Sequence, residues 1–361
     1  MKSPALNFNL LYQLLPTTTF IIALLFNCFQ IDFNPAYMIM RSGLLFVILL
    51  WQAYLIIKTA IKAAEYLGEP LGGLLLTVSV TMLEGILLLF SLNNNCNFAS
   101  VKQIVISVIL TALSFYTAIS LIVGGFNYSN LSYNLEGAKS YLAVISVLFC
   151  LNMVMPKALS STGILQPYQI IVVSILCFLS YFTFMYKQNI SHRQYFLYME
   201  AGKNLVPQNQ TIGSPVTVIE TVLLLGSFVY MSEYLPGMIE HTLYICNLPA
   251  ALSGLIVAIL VLTPEGFSAI SAAADNKLQR SINLCLGSTL ATLSVTLPVV
   301  MLYCTFFLKI PVSILLNDIE LILVFLSLFT ADIAFSSRTT SLLYGVLLLC
   351  IFIFYLMALF I

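Results

Sequence analysis

Two glutamates stand inside runs of residues that carry no other charge. Glu84 ends the run Leu74-Leu-Leu-Thr-Val-Ser-Val-Thr-Met-Leu-Glu84, and Glu265 ends Ile259-Leu-Val-Leu-Thr-Pro-Glu265. Each is followed at once by a glycine, Gly85 or Gly266. A charge in such surroundings costs several kcal/mol even by the lower estimates, so it usually faces a protein interior and carries function. On a helix, Thr81 and Thr77 lie at i−3 and i−7 from Glu84, and Ser268 at i+3 from Glu265. Pro264 has no N–H and so disturbs the preceding turn, freeing a carbonyl oxygen near Glu265. Carboxylates, carbonyls and hydroxyls are hard oxygen ligands that suit Ca²⁺, Na⁺ or K⁺ rather than soft metals. The bland reading of a lone buried glutamate is a neutral acid that ties helices together. The bland reading of each hydroxyl is a bond to its own helix.

A matched pair of carboxylates has chemistry that one lacks. Two such groups in a low-dielectric site resist double ionisation. A divalent cation relieves the repulsion, and protons relieve it equally well, so the two compete for the same oxygens. One Ca²⁺, two H⁺ or two monovalent ions each neutralise the pair. Exchange becomes obligatory if access switches only in the neutralised state, because an uncompensated charge costs about 2.3 kcal/mol per 100 mV of membrane potential. No covalent step and no cofactor is needed. Glu233 and Glu320 are secondary acidic candidates for a further proton.

The elements that must position these groups follow from composition. Apolar residues make up 60% of the 361, and charged residues only 8%. At roughly 20 residues per spanning helix, that apolar content fills ten or eleven spans. A soluble enzyme, a nucleic-acid binder and a disordered protein are excluded. The apolar runs are continuous, which excludes the alternating strands of a membrane β-barrel. Net charge is zero, with 14 basic and 14 acidic residues, so overall charge points to no partner beyond the bilayer and the ions. Eight cysteines without a C-x-x-C pair, and two histidines, give no zinc or iron–sulfur pattern. Cys96 and Cys246 fall near segment ends on one side.

Eleven apolar segments run near 11–30, 38–58, 71–92, 103–125, 141–160, 166–186, 216–235, 248–274, 281–308, 318–336 and 341–361. All must be helices, since lipid offers no partner to unpaired backbone groups. The first follows Lys2 and reads as a span rather than a leader. With the N-terminus in the cytoplasm, ten basic residues fall on the cytoplasmic side (Lys2, Lys58, Lys62, Lys139, Lys187, Arg193, Lys203, Lys277, Arg280, Arg338). Four fall opposite (Arg41, Lys102, Lys157, Lys309), which sets the orientation and places the C-terminus outside. The predicted organisation is an N-terminal helix (1–36), a five-helix unit (37–187), a cytoplasmic linker (188–215) and a second five-helix unit (216–361). Five is odd, so tandem homologous units insert in opposite senses, the inverted-repeat plan of secondary transporters. Glu84 and Glu265 then occupy the second span of each unit. The run Gly287-Ser-Thr-Leu-Ala-Thr-Leu-Ser-Val-Thr adds five hydroxyls along one span and suggests a polar path.

Several motifs carry a resemblance. Leu67-Gly-Glu-Pro-Leu-Gly-Gly with Ser79 and Glu84, and Pro264-Glu-Gly-Phe-Ser-Ala followed by Asn276, Gln279-Arg280, Asn283 and Gly287-Ser-Thr-Leu-Ala-Thr, resemble the two conserved repeats of the bacterial ChaA-type Ca²⁺/H⁺ (Na⁺/H⁺) antiporters. These belong to the cation/proton exchanger branch of the Ca²⁺:cation antiporter superfamily. Gly124-Gly125, Asn134, Gly137, Tyr141-Leu142 and Ser232-Glu233-Tyr-Leu are similar as well, so the likeness runs from about residue 60 to the end. The resemblance implies an all-α integral membrane protein of eleven helices, one plus two inverted units of five, in a bacterial inner membrane. It places the ion-binding glutamates on Glu84 and Glu265 and polar partners on Ser288 and Thr292. Departures are the non-acidic Ala201-Gly-Lys-Asn in the linker, Lys102-Gln103 where relatives carry Arg-Asp, and Arg338-Thr-Thr-Ser near the last span.

Two rival readings share the glutamates. A passive cation channel differs only in lacking coupling to protons. A membrane enzyme using them as acid and base would add histidine or metal ligands, and His192 and His241 both read as loop residues.

Overall fold

The computed structural model describes residues 35–67, 71–95, 98–128, 131–160, 162–196 and 215–360. The predicted first span at 11–30, Lys2, Cys96 and most of the linker, including Lys203, lie outside them. Within them, every predicted apolar segment from the second to the eleventh contains helix. In chain order these are α1 Pro35–Leu67, α2 Leu71–Asn95, α3 Phe98–Asn127, α4 Leu135–Leu159 and α5 Pro167–Ser191. After the linker come α6 Pro215–Ser232, α7 Leu235–Ile245, α8 Leu252–Ala274, α9 Leu278–Leu308, α10 Asp318–Ala334 and α11 Leu342–Ala358.

Among the described residues, seven stretches are long and apolar enough to cross a membrane, α6 and α7 counting together as Thr217–Ile245. Large apolar side chains point outward: Phe182 is 69% exposed, Phe325 65% and Phe354 55%. A water-soluble protein does not clothe itself in phenylalanine, whereas lipid makes that surface favourable. The chain is an integral membrane protein.

One expectation is corrected. His241 is not in a loop but in α7. The helix breaks at Glu233 and Tyr234 and restarts with Pro236 in its first turn, a position where proline's missing N–H costs nothing. The apolar run read as ending near 235 therefore continues to Ile245.

Helix ends are set locally. Asn134 Oδ1 caps α4 by accepting from Glu136 N at 3.0 Å and Gly137 N at 3.3 Å. Asn317 and Glu320 form a capping box on α10, and Gln166 and Gln169 form one on α5.

Tertiary contacts join the two sides of the linker. α1 packs along α6, with Gln52 Nε2 donating to Ser227 Oγ at 3.4 Å. The connection after α3 forms a strand, β1 (Leu131–Ser132), that pairs antiparallel with β2 (Thr339–Thr340) before α11. At the opposite end the connection before α5 bridges to the connection after α9, Ile164 to Ser313. Basic residues separate accordingly. Arg41, Lys102, Lys157 and Lys309 fall at the end of the Ile164–Ser313 bridge. Lys58, Lys62, Lys139, Lys187, Lys277, Arg280 and Arg338 fall at the β1–β2 end.

The helices are not uniform. α3 carries a π turn at Thr111–Tyr116 and α9 carries one at Thr292–Thr296. Such single wide turns leave a helix locally off its regular bonding and recur at functional sites.

Candidate ion-binding site

Each glutamate-bearing helix lies against a π turn from the other side of the linker. α2 packs on the turn at 292–296, and α8 packs on the turn at 111–116. This brings Glu84 and Glu265 close enough for their carboxylates to act electrostatically on one another. Glu84 is buried, 4% exposed. Its Oε2 accepts a hydrogen bond from Thr296 Oγ1 at 3.0 Å, while Oε1 is buried with no hydrogen-bond partner among the described residues. Glu265 is half-buried as a residue, but its Oε2 is likewise buried without a partner. Two buried carboxylate oxygens with no partner among the described residues, on groups that repel one another, are costly unless something electropositive fills the gap.

The two glycines that follow are not alike. A Cβ on Gly85 would meet only Thr296 Cγ2 at 3.8 Å. A Cβ on Gly266 would lie 2.0 to 2.4 Å from three ring atoms of Tyr116. The Tyr116 ring thus sits directly on the backbone beside Glu265, and its hydroxyl meets Thr263 Oγ1 at 3.3 Å. Only glycine admits that approach.

The other predicted residues divide. Thr292 is buried and interacts with the Glu84 carboxylate, although its hydroxyl also donates to Ser288 O at 3.0 Å. Ser288 donates to Cys285 O at 3.2 Å and Ser268 to Pro264 O at 2.8 Å, both bonds to their own helices. Thr81 is half-buried one turn before Glu84; the side chain of Thr77 lies outside the described residues. Of the five hydroxyls expected to make a polar path, Ser288, Thr289, Thr292 and Ser294 all bond back to α9, and Thr296 donates to Glu84 Oε2.

Glu233 is exposed at the α6–α7 break. Glu320 is engaged elsewhere: its Oε2 accepts from Lys102 Nζ at 3.0 Å and from Asn317 N at 2.9 Å. Cys285 is buried and lines a small cavity with Thr117, Ser120 and Ser281. Cys246 is a free thiol.

Comparison with known proteins agrees with this architecture. The profile of the sodium/calcium exchanger protein family matches residues 217–361. The sodium-potassium/proton antiporter ChaA of Escherichia coli is 31% identical over 324 residues, 86% of each chain. The chain belongs to the sodium/calcium exchanger family. In solved structures the exchanger fold recurs at lower identity. The Ca²⁺/H⁺ antiporter protein YfkE, in selenium-substituted form, superposes with a TM-score of 0.72 at 18% identity, covering 97% of this chain and 99% of that one. The H⁺/Ca²⁺ exchanger CAX gives 0.69 at 13% identity, covering 96% and 87%.

Two residues of this exchanger's candidate site were not singled out from sequence. Thr296 lies four residues beyond Thr292, on the same face of a regular helix, so helical spacing from Thr292 was the available signal. Tyr116 had none, because its place against Gly266 depends on how α3 and α8 cross.

Proposed function

We propose that this chain is a secondary active transporter. It exchanges Ca²⁺, or Na⁺ or K⁺, for H⁺ at a site shared by Glu84 and Glu265. The observation that carries this reading is the electrostatic coupling of the two buried carboxylates, each with a buried oxygen that no group among the described residues satisfies. One cation or a pair of protons completes the bonding there, and the bare state is disfavoured by burial and by like charge. Thr296 and Thr292 orient Glu84, and Tyr116 fixes the backbone at Glu265. Thr81, Ser268 and Ser288 are outer oxygen candidates. Kinship with ChaA, itself a sodium-potassium/proton antiporter, supports exchange rather than passive flow.

We further read the chain as eleven spans, the first within 1–36 and two inverted units of five at 37–187 and 216–361. Exchange of the two units carries the β1–β2 pairing onto the Ile164–Ser313 bridge, and it carries the α2 contact with one π turn onto the α8 contact with the other. A pseudo-two-fold axis in the membrane plane accounts for both. The end rich in Lys and Arg is the cytoplasmic one, in a bacterial inner membrane. Alternating access consists of the two units exposing the carboxylates to one side at a time, only when neutralised.

The test is transport by the purified chain in sealed vesicles. An imposed proton gradient should drive Ca²⁺, Na⁺ or K⁺ uphill, with proton movement in the opposite sense. Cation movement that stops at electrochemical equilibrium, with no proton counterflow, would make the chain a channel and refute exchange.

A further inference from the structure

A groove of about 630 Å³ runs between α1 and α8, and neither Glu84 nor Glu265 lines it. Its inner end is closed by Thr263 and Pro264, the two residues before Glu265, and its outer mouth by Asp275, Lys277 and Arg280. Between them the walls are mostly apolar and aromatic, with the hydroxyls of Ser268 and Ser271 on the α8 side. Leu50, Trp51 and Tyr54 line it from α1, and Phe267 from α8. Trp51 is 53% exposed and Phe267 67%, so these rings face outward rather than into the core. From Thr263 to Asp275 the helix rises about 18 Å. One leaflet of a bilayer holds about 15 Å of hydrocarbon. The groove is therefore a leaflet deep. Charge gathers only at the mouth, where two cations stand against one carboxylate. A third, Lys58 Nζ, lies 5.9 Å from the centre of the Tyr54 ring.

We propose that this groove binds one anionic phospholipid of the leaflet that meets Lys277 and Arg280. The phosphate sits between those two side chains, and an acyl chain lies along Trp51 and Phe267 toward Pro264. The chemistry fits no other occupant as well. A free anion would leave the apolar length unfilled, and a zwitterionic lipid would gain little from the paired cations. A basic pocket between membrane helices is the ordinary way such a headgroup is held. The occupant would lie against the segment that carries Glu265, whatever ion that residue binds.

Trp51 is the only tryptophan in the chain, so its fluorescence reports this groove alone. The full chain is reconstituted in phosphatidylcholine vesicles that contain either phosphatidylglycerol or phosphatidylcholine with brominated acyl chains, each titrated over the same range of mole fractions. Brominated phosphatidylglycerol should quench Trp51 at several-fold lower mole fraction. Each basic residue contributes a factor of roughly five, less what Asp275 offsets. K277Q/R280Q should erase the preference while leaving quenching by brominated phosphatidylcholine unchanged, which also shows that the variant is folded and inserted. K277Q and R280Q singly should fall between. Equal quenching by both lipids in the native chain would overturn the proposal, since the groove would then see only bulk lipid. Absence of quenching by either would overturn it too, because protein, a second copy or the 11–30 segment, would cover the groove. The readout does not depend on transport, so it stands or falls apart from the exchange reading.

Discussion

Alanine at Gly266 and alanine at Gly85 are the same change in the same Glu-Gly motif, yet the structure assigns them opposite outcomes. Both glycines lie inside helices, where alanine is favoured by about 1 kcal/mol. At Gly85 the new Cβ would find Thr296 Cγ2 at 3.8 Å, an ordinary contact. Gly85→Ala should therefore be neutral or stabilising by up to about 1 kcal/mol. At Gly266 the nearest Tyr116 atom lies at 2.0 Å, against 3.4 Å for the near edge of ordinary contact. The ring must retreat by the difference, 3.4 − 2.0 = 1.4 Å. Tyr116 is only 6% exposed and its ring packs edge-on against Phe115, 5.1 Å between centroids. Overpacking of this kind costs about 1–3 kcal/mol. The hydrogen bond to Thr263 at 3.3 Å would be lost as well, for about 1 kcal/mol. After the helix gain, Gly266→Ala should destabilise by about 1–3 kcal/mol and displace the backbone beside Glu265. Thermal unfolding of the purified variants, with cation uptake in vesicles, reads both effects. Tyr116→Ala combined with Gly266→Ala should cost less than the sum of the two single changes, because the clash disappears with the ring. A Gly85→Ala variant as impaired as Gly266→Ala, or strictly additive costs in the double variant, would refute the reasoning.

Glu84→Gln and Glu265→Gln mimic the protonated carboxyl, so each should abolish proton-driven cation transport and leave a folded protein; uphill Ca²⁺ uptake by either variant would sink the shared-site mechanism. Glu→Asp at either place should retain transport with weaker apparent affinity, measured as a raised half-saturating cation concentration. Thr296→Val removes the hydroxyl that donates to Glu84 Oε2 and should weaken cation affinity by a factor of about 5–150, the equivalent of 1–3 kcal/mol, while Thr296→Ser restores it; equal behaviour of the Val and Ser variants would show that the hydroxyl plays no part. Lys102→Ala leaves Glu320, with its side chain 11% exposed, short of its ion pair and should destabilise by up to about 3 kcal/mol. The exposed Lys157–Asp318 pair should give no measurable change on Lys157→Ala in the same denaturation assay. Cysteines placed within 188–215 should react with an impermeant reagent only from the cytoplasmic side; labelling from outside would reverse the orientation.

Composition by itself determined the class of this protein. Continuous apolar runs admit only helices in lipid, because a backbone N–H or C=O without a partner is too costly there. The same logic made Glu84 and Glu265 visible, since a carboxylate in hydrocarbon is too expensive to be incidental. The distribution of Lys and Arg separated the two ends in advance, because loop charges are sorted at insertion, before any packing. What sequence periodicity could not decide were features made by contact between helices. The break at Glu233 and Tyr234 looked like the end of a span, since a turn and a restarted helix carry the same residues as a loop. The resemblance singled out Ser288 and Thr292 among the hydroxyls of α9, but it is Thr296, at the end of the π turn packed on α2, that donates to Glu84, while Ser288 bonds back to its own helix. Gly85 and Gly266 were indistinguishable as letters. Only the crossing of α8 over α3 put a tyrosine ring on one of them, and that crossing is set by the packing of distant segments, which no local spacing records.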